Sequence, residues 1–282
     1  MARPALSASR GIEIIELLAT TPGRVMSLSD IARATSINVS SCHSVLNVLT
    51  ERGYLVRDAL QKGFALGPAL FAAGQAVLRG QSLLGHAQAG ARTLFGELGV
   101  PVLMTMAVGE EIVGVLSISH PQGQPPLLHA GERRALVPPI GAPFVAWGSE
   151  HAIRAWLARA PAADGSSLRA GVAAIRERGF EVLLRPAEST GHLASQLRAM
   201  AAPEPGLVYL GPGMALPGTI EAEALYDVTM IAAPVFDRAG DCAYNLCLGP
   251  FSAKLTGREV LDHADHLLRA CVQIMHADRA AG

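Results

Sequence analysis

From Ser27 to Gly67 the spacing of apolar and polar positions switches from a helical to a strand period, and the rest of the chain is organised around this stretch. Ser29 stands as N-cap before Asp30-Ile31-Ala32-Arg33-Ala34, with an acid in the first turn where the helix dipole favours it. Ser36-Ile37-Asn38 breaks the pattern, and Asn38 caps a second helix starting at Val39. There Cys42, Val45, Leu46 and Leu49 follow an i, i+3, i+4, i+7 stripe, which predicts a core face. Ser40, His43, Ser44 and Asn47 fall opposite, all short or polar. Gly53 stops the helix, and residues 54–57 and 63–66 read as strands around a polar loop at 58–62. Two such helices joined by a tight turn, the second with a free polar face, suit insertion into a DNA major groove. The hairpin makes the unit a winged helix-turn-helix.

A helix before this unit is predicted over residues 9–20, with Ile12, Ile15, Leu18 and Ala19 on one face; residues 1–8 read as a short flexible arm. Residues 68–99 read as helical, with Leu70, Gly74 and Leu78 sharing one face and Ala91, Leu94 and Leu98 another. The first part serves as a linker helix, since 79–82 is the most polar break. Strands over 102–108 and 112–118 flank Gly109-Glu110-Glu111, a hairpin signal. A Pro/Gly-rich loop at 120–126 leads to a strand near 127–129. Pro138-Pro139-Ile140-Gly141-Ala142-Pro143 precedes helices at 144–147 and 151–158. An amphipathic helix at 168–178 ends at Gly179, strands at 230–236 and 242–248 form a second hairpin, and a long helix covers 258–275. The organisation is α+β: a winged helix-turn-helix at 1–70, a linker helix at 71–82 and a mixed domain at 83–282.

Composition narrows the reading. With 282 residues, half of them apolar, the chain has room for two domains with sizeable cores, yet no apolar run is long enough to span a bilayer. The start, MARPALSASRG, has no apolar core of a secretory signal. Cys42, Cys242, Cys247 and Cys271 are too scattered for a disulfide framework, so a cytoplasmic protein away from membranes is expected. Net charge is −1, but residues 1–70 hold seven basic against five acidic residues (+2) and the remainder sixteen against nineteen (−3). That polarity has the sign expected of a DNA-binding head and an acidic regulatory body.

Ser9-Arg10-Gly11-Ile12-Glu13-Ile14-Ile15-Glu16-Leu17-Leu18, Leu28-Ser29-Asp30-Ile31-Ala32, Glu51-Arg52-Gly53-Tyr54-Leu55 and Leu66-Gly67 together resemble the DNA-binding domain of IclR-type bacterial transcription regulators. Residues 174–180 (AIRERGF) and 231–237 (IAAPVFD) are similar to that family's effector-binding domain. The resemblance implies a GAF-like effector domain with an antiparallel sheet, double-stranded operator DNA and a small-molecule effector as partners, a homodimer or dimer of dimers, and no cofactor. DNA contacts carry over to Val39, Ser40, Ser41, His43 and Ser44, beside Asn47. The family often has Lys at the first of these and Arg at the last. With both absent, phosphate contacts fall to Arg33, Arg57 and Lys62, with Arg10. The effector pocket carries over to Pro138, Pro139, Ile140, Gly141, Met230, Leu246 and Leu248. Where the family often has Ser at the last two and Cys at Met230, this chain is less polar, which favours a largely apolar or aromatic ligand.

More residues lie between Leu184 and Asp227 than the family usually places there; 187–201 reads as helical, and 203–206 with 211–218 as a Pro/Gly-rich loop. The departure resembles a divergent branch of the family. His263-x-x-His266 and Cys242-x4-Cys247 do not have zinc-site spacing. Gly211-x-Gly213 lacks the strand-then-helix context of a nucleotide loop, and no nucleophile motif is present. A regulator rather than an enzyme is expected. The alternative is a ligand-sensing dimerisation protein that no longer binds DNA specifically.

Overall fold

The computed structural model describes residues 5–19, 23–58, 60–80, 82–123, 126–160, 165–185 and 214–281. The helix expected at 187–201, the loop at 203–206 and Gly211-x-Gly213 lie outside these residues. The chain divides into two compact units, Met1–Gln81 and Ser82–Gly282.

The first unit holds α1 (Leu6–Ala19), α2 (Leu28–Ala34), α3 (Val39–Glu51), the hairpin β1 (Leu55–Asp58) with β2 (Gly63–Leu66), and α4 (Pro68–Gly80). Its core joins Ile14 and Leu18 of α1, Ile31 of α2, Ile37 of the turn that follows it, Cys42 and Leu46 of α3, and Leu55 and Phe64 of the hairpin. Ile12 is exposed, so the buried stripe of α1 runs through Ile14 and Leu18 rather than through Ile12 as expected. The cap of α2 is Ser27, not Ser29: its hydroxyl oxygen accepts from the Asp30 N–H at 3.2 Å and its O–H donates to Asp30 Oδ2 at 2.7 Å. Asn38 caps α3 by accepting the Ser41 N–H at 2.9 Å. Gly53, at φ 73°, leaves α3 through the left-handed region that only glycine enters freely. Among the described side chains of α4 none is buried, and Phe71 and Val77 are exposed; the side chain of Leu78 is outside the description.

The second unit is built on a six-stranded antiparallel sheet in the order β5-β4-β3-β9-β8-β6. Its strands are β3 (Val102–Val108), β4 (Glu111–Ile118), β5 (Arg133–Ala135), β6 (Glu181–Leu184), β8 (Val228–Phe236) and β9 (Cys242–Leu248). The short β7 (Leu225–Tyr226) and β10 (Leu255–Thr256) pair separately. Helices α5 (Ser82–Leu98) and α9 (Gly257–Ala280) pack on each other and on the sheet. Thr256 and Glu259 form a capping box that starts α9. Helices α6 (Ala142–Ala146), α7 (Glu150–Leu157) and α8 (Gly165–Arg178) cover the other face, where Trp156, Val172 and Ile175 share a core with Leu103, Met230, Ala232 and Cys247.

The strand expected at 127–129 does not form. Leu127 and Leu128 are buried in that core, and the edge of β4 is taken instead by Arg133–Ala135. Gly114 fixes the switch, since a Cβ there would sit 2.2 Å from the His129 carbonyl oxygen. The architecture is α+β, as the sequence predicts, with helices on both faces of an antiparallel sheet.

Candidate functional sites

The outer face of α3 follows from its inner one. Burial of Cys42 and Leu46 turns Val39, Ser40, His43, Ser44 and Asn47 outward, and all five are exposed. Ser41 is half-buried, its backbone held by the Asn38 cap. Ser44 donates its hydroxyl to the Ser40 carbonyl at 3.1 Å, and His43 Nδ1 lies 3.4 Å from the Asn47 amide nitrogen. The face is thus polar and uncharged, with hydroxyl, imidazole and amide groups at helical spacing. Exposed Val48 extends it with an apolar methyl pair, which a search for polar positions passes over.

The basic residues differ in freedom. Arg33 is on α2 and pairs with Asp30 at 3.1 Å, so its charge is locally offset. The Ser27 hydroxyl, then Arg33, holds the Asp30 carboxyl below the usual range. Arg57 on β1 and Lys62 in the hairpin turn are exposed and have no ion-pair partner among the described residues. Lys62 sits at φ 51°, and Asp58 Oδ1 accepts the N–H groups of Leu60 and Gln61 at 2.8 Å each, shaping the tip. Leu60 is 95% exposed at that tip.

In the second unit the seven effector positions divide. Pro138, Pro139, Ile140 and Gly141 are buried before α6, and the Pro138–Pro139 peptide is cis. Trp156 Nε1 donates to the Ile140 carbonyl at 3.3 Å, and Gly141, at φ 78°, lies where a Cβ would meet Leu136 Cδ1 at 2.3 Å. Met230 joins the same core as Ile140. Leu246 and Leu248 do not. They alternate with Cys247, and Cys247 is the β9 residue that packs with Met230 and α6–α8. Because strand side chains alternate, Leu246 and Leu248 belong to the face covered by α5 and α9. A single pocket containing Met230, Leu246 and Leu248 is therefore corrected: the first is on one face, the other two on the opposite one. The reason is that β9 enters the sheet with Cys247, not its neighbours, opposite Ala232.

The face with Met230 also carries polar groups the sequence reading did not select. Glu181 opens β6 opposite Ala232, is fully buried, and neither of its oxygens has a hydrogen-bond partner among the described residues. Burial pushes its pKa up to about 8, against the opposing pull of Arg178. Asn245 Oδ1 and Arg178 Nη2 are buried and equally unpartnered. A Glu directly after Arg-Gly-Phe, at the start of a buried strand, was the available signal.

Neither of two cavities includes the seven positions. One, of about 430 Å³, lies between α5 and α9, with His86, Glu97, His266 and Arg269 on its walls. The other, of about 290 Å³, lies between the end of α8 and α9. His263 stacks edge-on against Phe251 at 5.2 Å, whereas His266 lies 4.0 Å from Glu97, so the two imidazoles are engaged separately. The cysteines are free thiols; burial raises Cys247 well above its ordinary value and pushes Cys242 up to about 12. Thiols so held are poor nucleophiles and ligands. Among the described residues no helix is long and apolar enough to cross a membrane.

Residues 7–59 match the sequence model of the IclR helix-turn-helix domain. No curated protein matches the chain. Among solved structures, an IclR transcriptional regulator from Alicyclobacillus acidocaldarius superposes with a TM-score of 0.71 at 18% identity, covering 98% of this chain and 100% of that one. An IclR homologue from Microbacterium hydrocarbonoxydans, complexed with 4-hydroxybenzoate, gives a TM-score of 0.67 at 18% identity, over 97% and 99%. The Thermotoga maritima IclR gives 0.61 at 19%, over 97% and 98%. Residues 7–59 thus form an IclR-type helix-turn-helix domain, and the chain has along its length the fold of those solved regulators.

Proposed function

We propose that the protein binds operator DNA as a homodimer or dimer of dimers through the exposed face of α3 and the β1–β2 wing, and that a small, largely apolar or aromatic effector sets its operator affinity. It acts as a cytoplasmic regulator and not as an enzyme. The observation that carries this reading is α3 itself: one stripe buried, the other side a continuous polar face of Ser40, His43, Ser44 and Asn47. Such a helix reads base edges by hydrogen bonding, while Arg57 and Lys62 contact phosphate.

Dimer formation is supported by α4. A helix with exposed Phe71 and Val77 and little burial within its own unit gains stability by packing against an equivalent helix. An apolar effector is supported by the Met230 face, and by the aromatic acid bound to the Microbacterium homologue. Binding one quaternary arrangement better than another then shifts DNA affinity by the difference.

The test is footprinting of the DNA upstream of the gene. A protected site with two-fold symmetry, its half-sites about one helical turn or a multiple apart, is expected. Absence of protection overturns the reading. The second reading, a ligand-sensing dimer without operator specificity, is favoured by the Arg33–Asp30 pair, which removes one cation from an already small basic surface.

A further inference from the structure

The outward side of α3 carries two parallel rows of side chains at i, i+4 spacing: Val39, His43 and Asn47, and beside them Ser40, Ser44 and Val48. All six are exposed, and from Val39 to Thr50 the helix has no Lys, Arg, Asp or Glu. In the major groove each base pair shows its own order of donors, acceptors and methyl groups. A guanine edge, with its two acceptors, is matched by the forked donors of Arg or by Lys, and the cytosine amino group by a carboxylate. Neither kind of side chain is present on these two rows. Glu51 and Arg52, which follow them, stand at the last residue and the C-cap of α3. They begin about 18 Å along the axis from Val39. A recognition helix meets base edges with its N-terminal part, which places these two charges toward the phosphates.

What the rows do carry fits the A·T pair. Asn47 Nδ2 lies 3.4 Å from His43 Nδ1. An amide nitrogen only donates, so Nδ1 accepts and the ring proton sits on Nε2. That contact uses one of the two amide hydrogens and orients the group. The other N–H and Oδ1 stay free, and they are the donor and acceptor that pair with adenine N7 and N6. His43 Nε2–H is a single donor that suits N7 of either purine, and the Ser44 hydroxyl hydrogen is given to the Ser40 carbonyl at 3.1 Å, so neither selects a base. Val39 and Val48 are 55% and 56% exposed although apolar. Each presents two methyl groups on a stiff β-branched side chain, one at either margin of the polar positions. The apolar group on the major-groove edge of a base pair is the thymine 5-methyl.

We infer that α3 reads A·T pairs, Asn47 through the adenine edge and Val39 and Val48 through thymine methyl groups, and that operator specificity comes from these three side chains. This rests on the proposed insertion of α3 into operator DNA.

The test is anisotropy at fixed salt with the full chain and the duplex upstream of the gene, altered a few atoms at a time. Uracil in place of thymine removes the 5-methyl group and leaves base pairing intact, while 7-deazaadenine removes the N7 acceptor. Placed within one protected half-site, uracil weakens the parent chain by about fourfold or more and 7-deazaadenine by about fivefold or more. Asn47→Ala loses the response to 7-deazaadenine and keeps the response to uracil. The double variant Val39→Ala, Val48→Ala does the reverse. All three positions are exposed and outside the core, so both variants keep the melting midpoint of the parent. Equal affinity of the parent for the natural and the uracil duplex, or the same responses in parent and variants, overturns the assignment. In that case a preference for the upstream duplex over a scrambled one leaves the operator reading standing. No preference for the upstream duplex overturns both.

Discussion

Glu181 and Arg178 stand three residues apart around the turn at Gly179, both drawn into the protein, with no hydrogen bond between them. The carboxyl oxygens are unpartnered, and burial outweighs the attraction of the guanidinium. A buried acid with a raised pKa binds a proton in the folded state that it releases when unfolded. Between about pH 4.5, the ordinary value for Glu, and about 8, stability therefore falls as pH rises. The slope from this group reaches up to about 1.4 kcal/mol per pH unit. Glu181→Gln removes it. Denaturant melts at pH 5, 6, 7 and 8 check this: the parent loses stability relative to the variant across the series. Parallel curves would contradict the assignment.

The separation of Met230 from Leu246 across the sheet predicts different consequences for the two. Both are buried, so truncation of either to Ala costs about 2–5 kcal/mol of stability. If the effector lies on the α6–α8 face, Met230→Ala also changes the effector concentration needed to shift DNA binding. Leu246→Ala leaves that concentration unchanged. A promoter-binding titration with effector added separates the two effects, and a reversed result moves the effector to the α5–α9 face.

Leu46 is fully buried in the first unit, and Leu46→Ala is expected to cost about 2–5 kcal/mol there. The second unit has its own core, so its unfolding keeps its own midpoint. Calorimetric melting reads this directly: only the transition of the first unit moves down. A single transition that moves as a whole would mean that the two units unfold together.

The sequence carried much of the first unit because a helical stripe leaves few alternatives. Cys42, Val45, Leu46 and Leu49 define the inside of α3 by spacing alone, and Asn38 and Gly53 mark its ends. Local signals were weaker where two residues compete for one role. Ser27 and Ser29 both stand just before Asp30, and only the geometry of the turn decides that Ser27 caps α2 by reaching the Asp30 N–H while Ser29 falls within the helix. In the second unit, pairing partners are distant in sequence. Leu127 and Leu128 look like a strand because they are apolar, but they are buried as loop residues and β5 takes the edge. The face on which Leu246 lies depends on β9 being in register with β8, which periodicity within β9 does not encode when nearly every residue is buried on both sides.

Ser44 is exposed on α3, with its hydroxyl turned back onto the Ser40 carbonyl. Ser44→Arg breaks nothing in the core and adds a cation where a groove-inserted helix meets DNA. Affinity for duplex DNA of any sequence rises, and the salt dependence steepens by about one phosphate contact. Anisotropy with random duplex at several salt concentrations measures both. No gain in affinity counts against this face pointing at DNA.

The most direct test of the regulatory account is binding of the full chain to the duplex upstream of its gene, beside a scrambled duplex of equal length, over a salt series. The account predicts a preference of about a thousandfold or more for the upstream duplex, with affinity falling as salt rises. Equal, weak binding to both duplexes would contradict it and leave a ligand-sensing dimer as the function of the fold.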